Sequence, residues 1–318
     1  MDLSIVVPIY NEEDNIPILI QSIEESLKDT GYEYEIVCVD DGSQDCSLKI
    51  LKNLAMVNPR LRVVALRRNY GQTAAMAAGF ENSRGQFIVT LDGDLQNDPA
   101  DIPLLLAKLQ EGYDLVSGWR RHRRDDTITR VVPSKVANWL ISRITGVALH
   151  DYGCSLKAYR KELIDDLNLY GELHRFLPVL AYIEGARITE IPVTHHPRRF
   201  GKSKYGLGRT FRVILDLFTI FFIKKFLTRP MHIFGFFGLI SLFLGFIIGA
   251  YLSFLKLALG ESIGDRPLLI LSVLLVLAGV QLFSFGLLAE LLIRTYHESQ
   301  KRPIYRIREI YCCKDTTH

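Results

Sequence analysis

Two carboxylates stand two residues apart in Asp92-Gly93-Asp94, directly after the apolar run QFIVTL, and Gln96 follows closely. Hard oxygen donors at this spacing suit Mg²⁺ or Mn²⁺, which keep coordination positions open for phosphate oxygens. The same pattern serves as a plain solvated turn, and its place after a buried-strand signal is what favours the metal. A second acidic pair, Asp40-Asp41, follows the apolar run EIVCV and precedes Gly42-Ser43. Asp-Gly is a turn signal, and a turn can present a carboxylate to an imide N–H, a choice that favours uracil. Basic residues gather in two windows. Residues 120–143 hold Arg120, Arg121, Arg123, Arg124, Arg130, Lys135 and Arg143 against only Asp125 and Asp126. Residues 198–212 hold Arg198, Arg199, Lys202, Lys204, Arg209 and Arg212 with no acid. Most of these charges suit an anionic lipid surface. Adjacent His195 and His196 at a strand end point to opposite faces and make a poor metal pair.

The elements that must position these groups alternate. Strand signals fall at 4–10, 35–41, 61–68, 86–94 and 114–119, with helical signals at 13–29, 45–57, 72–83 and 99–110 between them. Strands without polar alternation, separated by helices, imply a mostly parallel sheet covered on both faces. Ligands then sit at the carboxyl ends of the strands. Tyr10-Asn11-Glu12, Asp40 to Ser43, Arg67-Arg68-Asn69 and Asp92-Gly93-Asp94 all fall at such ends, so four polar strand ends are expected on one rim. Residues 120–145 read as helical in their second half, and 188–196 as a further strand.

The chain has 318 residues and a net charge of +3. Through Thr210 there are 26 basic and 28 acidic residues; the other 108 residues carry 12 and 7. A basic rear half fits a membrane surface better than nucleic acid. Pro230 to Leu255 and Pro267 to Ala289 contain no Asp, Glu, Lys or Arg. Each run is long enough for a bilayer core of about 30 Å, which needs about 20 apolar helical residues, and this argues against a wholly soluble protein. Residues 209–227 read as an amphipathic helix at the interface. Lys224, Lys225 and Arg229 precede the first span, and Arg294, Lys301, Arg302, Arg306 and Arg308 follow the second. The positive-inside rule puts both ends in the cytoplasm. The N-terminus runs straight into a strand signal, which leaves membrane targeting to the two spans. Five cysteines without metal-type spacing read as reduced thiols.

SIVVPIYNEEDNI, VDDGSQD, RRNYGQTAAMAAGF, TLDGDLQNDPADIP, DYGCSLKAYR and RRFGKSKYG occur in that order. Together they resemble glycosyltransferase family 2, in its polyprenyl-phosphate branch, over nearly the whole chain. RNYGQ, DYGCSLKAYR and FGKSKY resemble most the members that transfer 4-deoxy-4-formamido-L-arabinose to undecaprenyl phosphate. The resemblance implies a GT-A fold over 1–208, a juxtamembrane amphipathic helix over 209–229, a transmembrane hairpin over 230–294 (about 230–256 and 267–293) and a cytosolic tail over 295–318. It implies a nucleotide-sugar donor, with Pro8, Tyr10 and Glu12 in the first nucleotide loop. Asp40 and Asp41 match the uracil and ribose contacts, with Asp41 favoured for the base. Asn69 and Gly71 flank the nucleotide, and Asp92, Asp94 and Gln96 match the site for Mg²⁺ or Mn²⁺ and the diphosphate. Gly93 stands where relatives often carry Ala.

The acceptor implied is a polyprenyl monophosphate. It is anionic at neutral pH, so it needs cations to place it more than a strong base. Arg120, Lys135, Arg199 and Lys204 are the candidates, and Gly201 and Gly206 would let their loop close. Asp151 either orients the sugar, acts as a weak base or serves as a turn carboxylate. The reaction expected is an inverting transfer at the inner membrane, for lipid A or another envelope glycan. Two alternatives fit less well. A processive polysaccharide synthase would carry Q-x-x-R-W, but tryptophan occurs only at 119 and 139, outside that motif. A non-catalytic membrane scaffold would not need Asp92 and Asp94 together. Glycines at 235, 238, 245 and 249 can pack the spans against each other or a second copy in a homo-oligomer.

Overall fold

The computed structural model describes residues 1–121, 142–143, 145–167, 173–197, 230–260, 262–264, 266–299 and 305–312. The expected amphipathic helix at 209–229 lies outside the described residues, as do Lys135, Arg199 and Lys204. Two compact units are present, one of Met1–Leu217 with Pro303–His318 and the other of Phe218–Arg302.

The first unit is built on one eight-stranded sheet. Its strands are β1 (Leu3–Ile9), β2 (Tyr34–Asp40), β3 (Leu61–Leu66), β4 (Phe87–Thr90), β5 (Leu115–Trp119), β6 (Lys157–Arg160), β7 (Ile188–Pro192) and β8 (Ile307–Cys312). Their spatial order is β7-β5-β6-β4-β1-β2-β3-β8. The pairs β1–β2, β1–β4, β2–β3 and β5–β7 are parallel. β6 runs antiparallel between β4 and β5, and β8 runs antiparallel on β3. The sheet is thus mixed, with a parallel centre.

Both sheet faces are covered, because successive strand residues point to opposite sides. Leu3, Ile5, Val7, Ile36, Cys38 and Val63 enter one core, and Val6, Val37, Val39, Val64 and Ile88 enter the other. Helix α1 (Ile16–Leu27) adds Ile16, Leu19, Ile20, Ile23 and Leu27 to the first core, at the i, i+3, i+4, i+7 spacing of a single stripe. Helix α4 (Ile102–Gln110) does the same with Ile102, Leu105, Leu106 and Leu109. Helix α2 (Ser47–Val57) joins them through Leu51 and Ala55. On the opposite face lie α3 (Gln72–Glu81), α5 (Lys161–Asp166) and α6 (Leu177–Ile183). Ala74, Ala75 and Ala78 let α3 lie close to the strands beneath it.

Three elements depart from the sequence reading. The expected strand over 86–94 ends at Thr90, which leaves Asp92 and Asp94 in the following turn. The expected strand over 188–196 ends at Pro192, beyond which His195 makes one isolated bridge to Asn97. The segment 295–318, read as a tail, includes the last residues of the helix Pro267–Ser299 and the edge strand β8, which the sequence reading did not expect.

The second unit holds α7 (Pro230–Leu259) and α8 (Pro267–Ser299). Phe234–Leu259 and Pro267–Leu288 have mean hydropathies of 2.1 and 2.5, and both are long and apolar enough to cross a bilayer. Small residues bring the pair together. A Cβ on Gly238 would lie 2.9 Å from the Gly279 carbonyl oxygen. Ser241 Oγ donates to the Leu275 carbonyl at 2.7 Å, and Ser272 Oγ to that of Gly245 at 2.8 Å. Gly238 and Gly245 are thus used inside the hairpin.

Candidate active site

The rim is assembled by hydrogen bonds that join one strand end to the next. β1 ends in Tyr10-Asn11-Glu12, with Asn11 at φ +52°, a value that asparagine adopts more readily than most residues. Asn11 N–H donates to Ser43 Oγ at 3.0 Å, and its side-chain oxygen accepts from the Gln44 amide at 2.8 Å. Glu12 N–H donates to Ser47 Oγ at 2.9 Å, and its carboxylate accepts from Asn15 Nδ2 at 2.6 Å. Pro8 lies within β1, opposite Val39.

Asp40 and Asp41 sit side by side at the end of β2 but in different surroundings. Asp41 Oδ1 accepts from the Tyr70 amide at 2.7 Å, and Oδ2 from the Gly71 amide at 2.9 Å. It thereby ties the loop after β3, which contains Asn69 and Gly71, to the end of β2. Asp40 Oδ2 accepts from the Ser43 amide at 3.3 Å, while Oδ1 is buried with no hydrogen-bond partner among the described residues. Burial raises the pKa of both carboxyls, and backbone amides pull in the other direction. Gly42, at φ +68°, lets the two loops touch. A Cβ there would lie 2.5 Å from the Arg68 carbonyl carbon and 2.6 Å from the Asn69 nitrogen.

Asp92, Gly93 and Asp94 follow β4. Asp94 is buried and Asp92 is half-buried. Gln72 Nε2, at the start of α3, donates to Asp92 Oδ1 at 2.8 Å. Asp94 Oδ1 accepts from the Gln96 amide at 3.2 Å, across Leu95 at φ +59°. The Gln96 carbonyl accepts from the His196 amide at 2.8 Å. Among the described residues no group of three or more His, Cys, Asp or Glu stands together. Two carboxylates with a neighbouring amide suit a hard divalent ion that takes its remaining ligands from phosphate and water. An alanine at Gly93 would meet the terminal methyl of Ile9 at 2.8 Å, the movable end of a side chain.

The opposite side of the rim carries Arg120, directly after β5. Its Nε donates to Asp151 Oδ2 at 2.7 Å and Nη2 to Oδ1 at 3.0 Å. Burial opposes the guanidinium charge, but the hydrogen bonds and attraction from Asp151 outweigh it and raise its pKa. The two residues, separate candidates in the sequence, form one bidentate pair. Asp92 also adds, less than Asp151, to the attraction that favours the Arg120 charge. Trp119 stacks on the His150 ring at 4.4 Å.

Two contributors escaped the sequence reading. Gln72 lies in the quoted RRNYGQ segment, but its neighbours read as an alanine-rich helix start. Lys157 is 3% exposed, with its ammonium on the carbonyls of Tyr152 and Cys154, and burial lowers its pKa. It holds the turn after Asp151. A charged residue in the short run LKAYR gives no strand signal.

This site can be set beside known proteins. A sequence model of glycosyl transferase family 2 matches residues 4–167. Dodecaprenyl-phosphate galacturonate synthase of Rhizobium johnstonii is 47% identical over 98% of this chain and 93% of its own. Undecaprenyl-phosphate 4-deoxy-4-formamido-L-arabinose transferase of Pseudomonas fluorescens is 41% identical over 97% and 89%. In fold, the chain is similar to glucosyl-3-phosphoglycerate synthase of Mycobacterium tuberculosis, solved with Mn²⁺, uridine diphosphate and phosphoglyceric acid. The TM-score is 0.55 at 19% identity, over 70% of this chain and 78% of that one. The sheet is that of a GT-A enzyme, and the chain belongs to glycosyltransferase family 2.

Proposed function

We propose that the protein transfers a sugar from a UDP-sugar to a polyprenyl phosphate at the cytoplasmic face of the membrane, with inversion. The observation that carries the donor half is the continuous hydrogen-bonded rim from Asn11 through Asp41 and Gln72 to Asp92. It places the Asp41 carboxylate, suited to a base N–H, on the same rim as Asp92, suited to a diphosphate-bound ion. The acceptor half rests on whole-length relatives named for polyprenyl phosphates and on the two apolar helices.

Pro8, Tyr10, Glu12, Asn69 and Gly71 would line the nucleotide. Asp41 retains lone pairs beyond the two amides it accepts, enough to receive the uracil imide N–H, and Asp40 would support it. Asp92 and Asp94, with Gln96, would hold Mg²⁺ or Mn²⁺, whose charge stabilises the leaving diphosphate. The lipid phosphate oxygen forms the new bond to the anomeric carbon as the bond to the diphosphate breaks, and the diphosphate leaves with the electron pair. Arg120 has five N–H donors. Two serve Asp151, so the others can meet the incoming phosphate. Asp151 holds that guanidinium through both carboxylate oxygens, which makes orientation its role here. Lys135, Arg199 and Lys204 would join Arg120 on the acceptor, with both termini on the cytoplasmic side.

Purified protein in detergent is incubated with Mn²⁺ or Mg²⁺, undecaprenyl phosphate and a panel of UDP-sugars that includes galacturonate, formamido-arabinose and glucose. Mass spectrometry of the lipids should show one sugar-phosphate product, abolished by Asp94→Ala. No lipid-linked sugar from any donor would refute the assignment. Nucleotide release without a lipid product would retain the donor half and overturn the acceptor half.

A further inference from the structure

The strand that follows the membrane hairpin joins the sheet beside the donor loop. β8 pairs with β3 in the register Arg62 with Cys312, Val63 with Tyr311, Val64 with Ile310, Ala65 with Glu309 and Leu66 with Ile307. One more backbone bond continues the ladder, from the Arg67 amide to the Arg306 carbonyl at 3.0 Å. Arg67 is the first residue of the loop whose far end, Tyr70 and Gly71, is bound by Asp41.

The same segment also reaches the element after that loop. Tyr305 is 4% exposed, and its hydroxyl donates to the Glu81 carboxylate at the last turn of α3. α3 begins at Gln72, directly after Gly71, and Gln72 holds Asp92. A third tie runs to α2, which follows the Asp40–Asp41 loop. Lys52 lies 3.5 Å from the Glu309 carboxylate and 4.1 Å over the Tyr311 ring. Residues 305–311 therefore grip the strand before the donor loop, the helix after it and the helix that follows the neighbouring loop.

These contacts fall on the elements that flank the donor loop and its neighbour. Loop ordering is a thermodynamic quantity. A ligand that requires a loop in one arrangement binds more weakly in inverse proportion to the fraction of molecules that hold the loop in that arrangement. We infer that β8, with Tyr305 and the Arg306 carbonyl, is a positioning element for the donor loop, and that the site reaches its nucleotide-binding form only after the chain has returned from the hairpin. This rests on the UDP-sugar reading above. It also makes the catalytic unit discontinuous, with its last strand supplied after both spans.

The test uses the full chain beside two variants, Tyr305→Phe and a chain ending at Pro303, all in detergent. UDP affinity is read by calorimetry, amide exchange at Tyr70 and Gly71 by mass spectrometry, and melting by thermal shift. The chain ending at Pro303 should bind UDP about tenfold more weakly, the equivalent of one lost hydrogen bond of loop ordering. Exchange at Tyr70 and Gly71 should accelerate, and adding the 304–318 peptide in trans should restore both. Tyr305→Phe should weaken UDP binding by a smaller factor without loss of folding. A lower melting temperature with UDP affinity and loop exchange unchanged would make β8 a structural edge only and overturn the inference. If the full chain itself fails to bind UDP, the donor reading fails, and loop exchange still decides the role of β8.

Discussion

Gly42→Ala tests whether the β2 and β3 loops are a single structure. At φ +68° any L side chain is strained, which costs about 1–2 kcal/mol. The added Cβ would also lie 2.5 Å from the Arg68 carbonyl carbon and 2.6 Å from the Asn69 nitrogen. Carbon atoms pack at about 3.5–4.0 Å, so backbone 68–69 must retreat by about 1 Å. Tyr70 and Gly71 follow in the chain, and their amides lie 2.7 and 2.9 Å from Asp41. A retreat of that size takes these bonds beyond the usual N–H···O range of about 2.7–3.2 Å. Each bond to a charged group contributes about 1.5–3 kcal/mol. With partial relaxation the substitution should destabilise by about 3–6 kcal/mol, within a total stability of about 5–15 kcal/mol. Gly31→Ala is the control. Its φ is +74° but nothing lies within 4 Å of the new Cβ, so only the torsional cost of about 1–2 kcal/mol applies. Thermal shift of the two purified variants measures the gap, at about 2–4 °C per kcal/mol for a unit of this size. UDP affinity by calorimetry should fall for Gly42→Ala alone. Equal melting shifts with unchanged UDP affinity would refute the contact and with it the loop-to-loop design of the donor rim.

Other outcomes follow from the same geometry. Arg120→Ala leaves Asp151 buried without its partner and should destabilise by about 3–5 kcal/mol. Removing both should restore part of that loss in a double-mutant cycle, while transfer activity stays absent. Gln72→Leu releases Asp92 Oδ1, and the Mn²⁺ needed for half-maximal activity should rise about tenfold or more, the usual size of a lost orienting contact. Asp40 and Asp41 have pKa values raised by burial, so their folded values exceed the unfolded value of about 3.9. Over that window the folded state binds more protons, and the contribution of these two groups to stability falls as pH rises. On the proposed donor reading UDP binding uses the ionised form and should have the opposite trend, weakening on acidification at a higher pH than an ordinary aspartate would impose. Calorimetry and melting across the same pH series separate the two.

Much of the sheet and of its polar rim is legible in the chain. β1 to β5 follow from short, mostly apolar runs, because a strand covered on both faces leaves no polar alternation. Their ends are legible because turn residues and carboxylates interrupt the runs at Tyr10, Asp40, Arg67 and Asp92. The two long apolar helices follow from length and the absence of charge. Other features depend on pairing between distant segments, which local periodicity does not encode. β6 has four residues and a buried lysine, and it becomes a strand only because β4 and β5 leave a slot for it. β8 reads as a polar tail until β3 offers an open edge. Arg120 and Asp151 are 31 residues apart, and their separate roles become one when β5 and the turn before β6 meet. The division between Asp40 and Asp41 arises in the same way. Identical neighbours in sequence differ only because one faces the amides of Tyr70 and Gly71, and that approach is permitted by the missing side chain at Gly42.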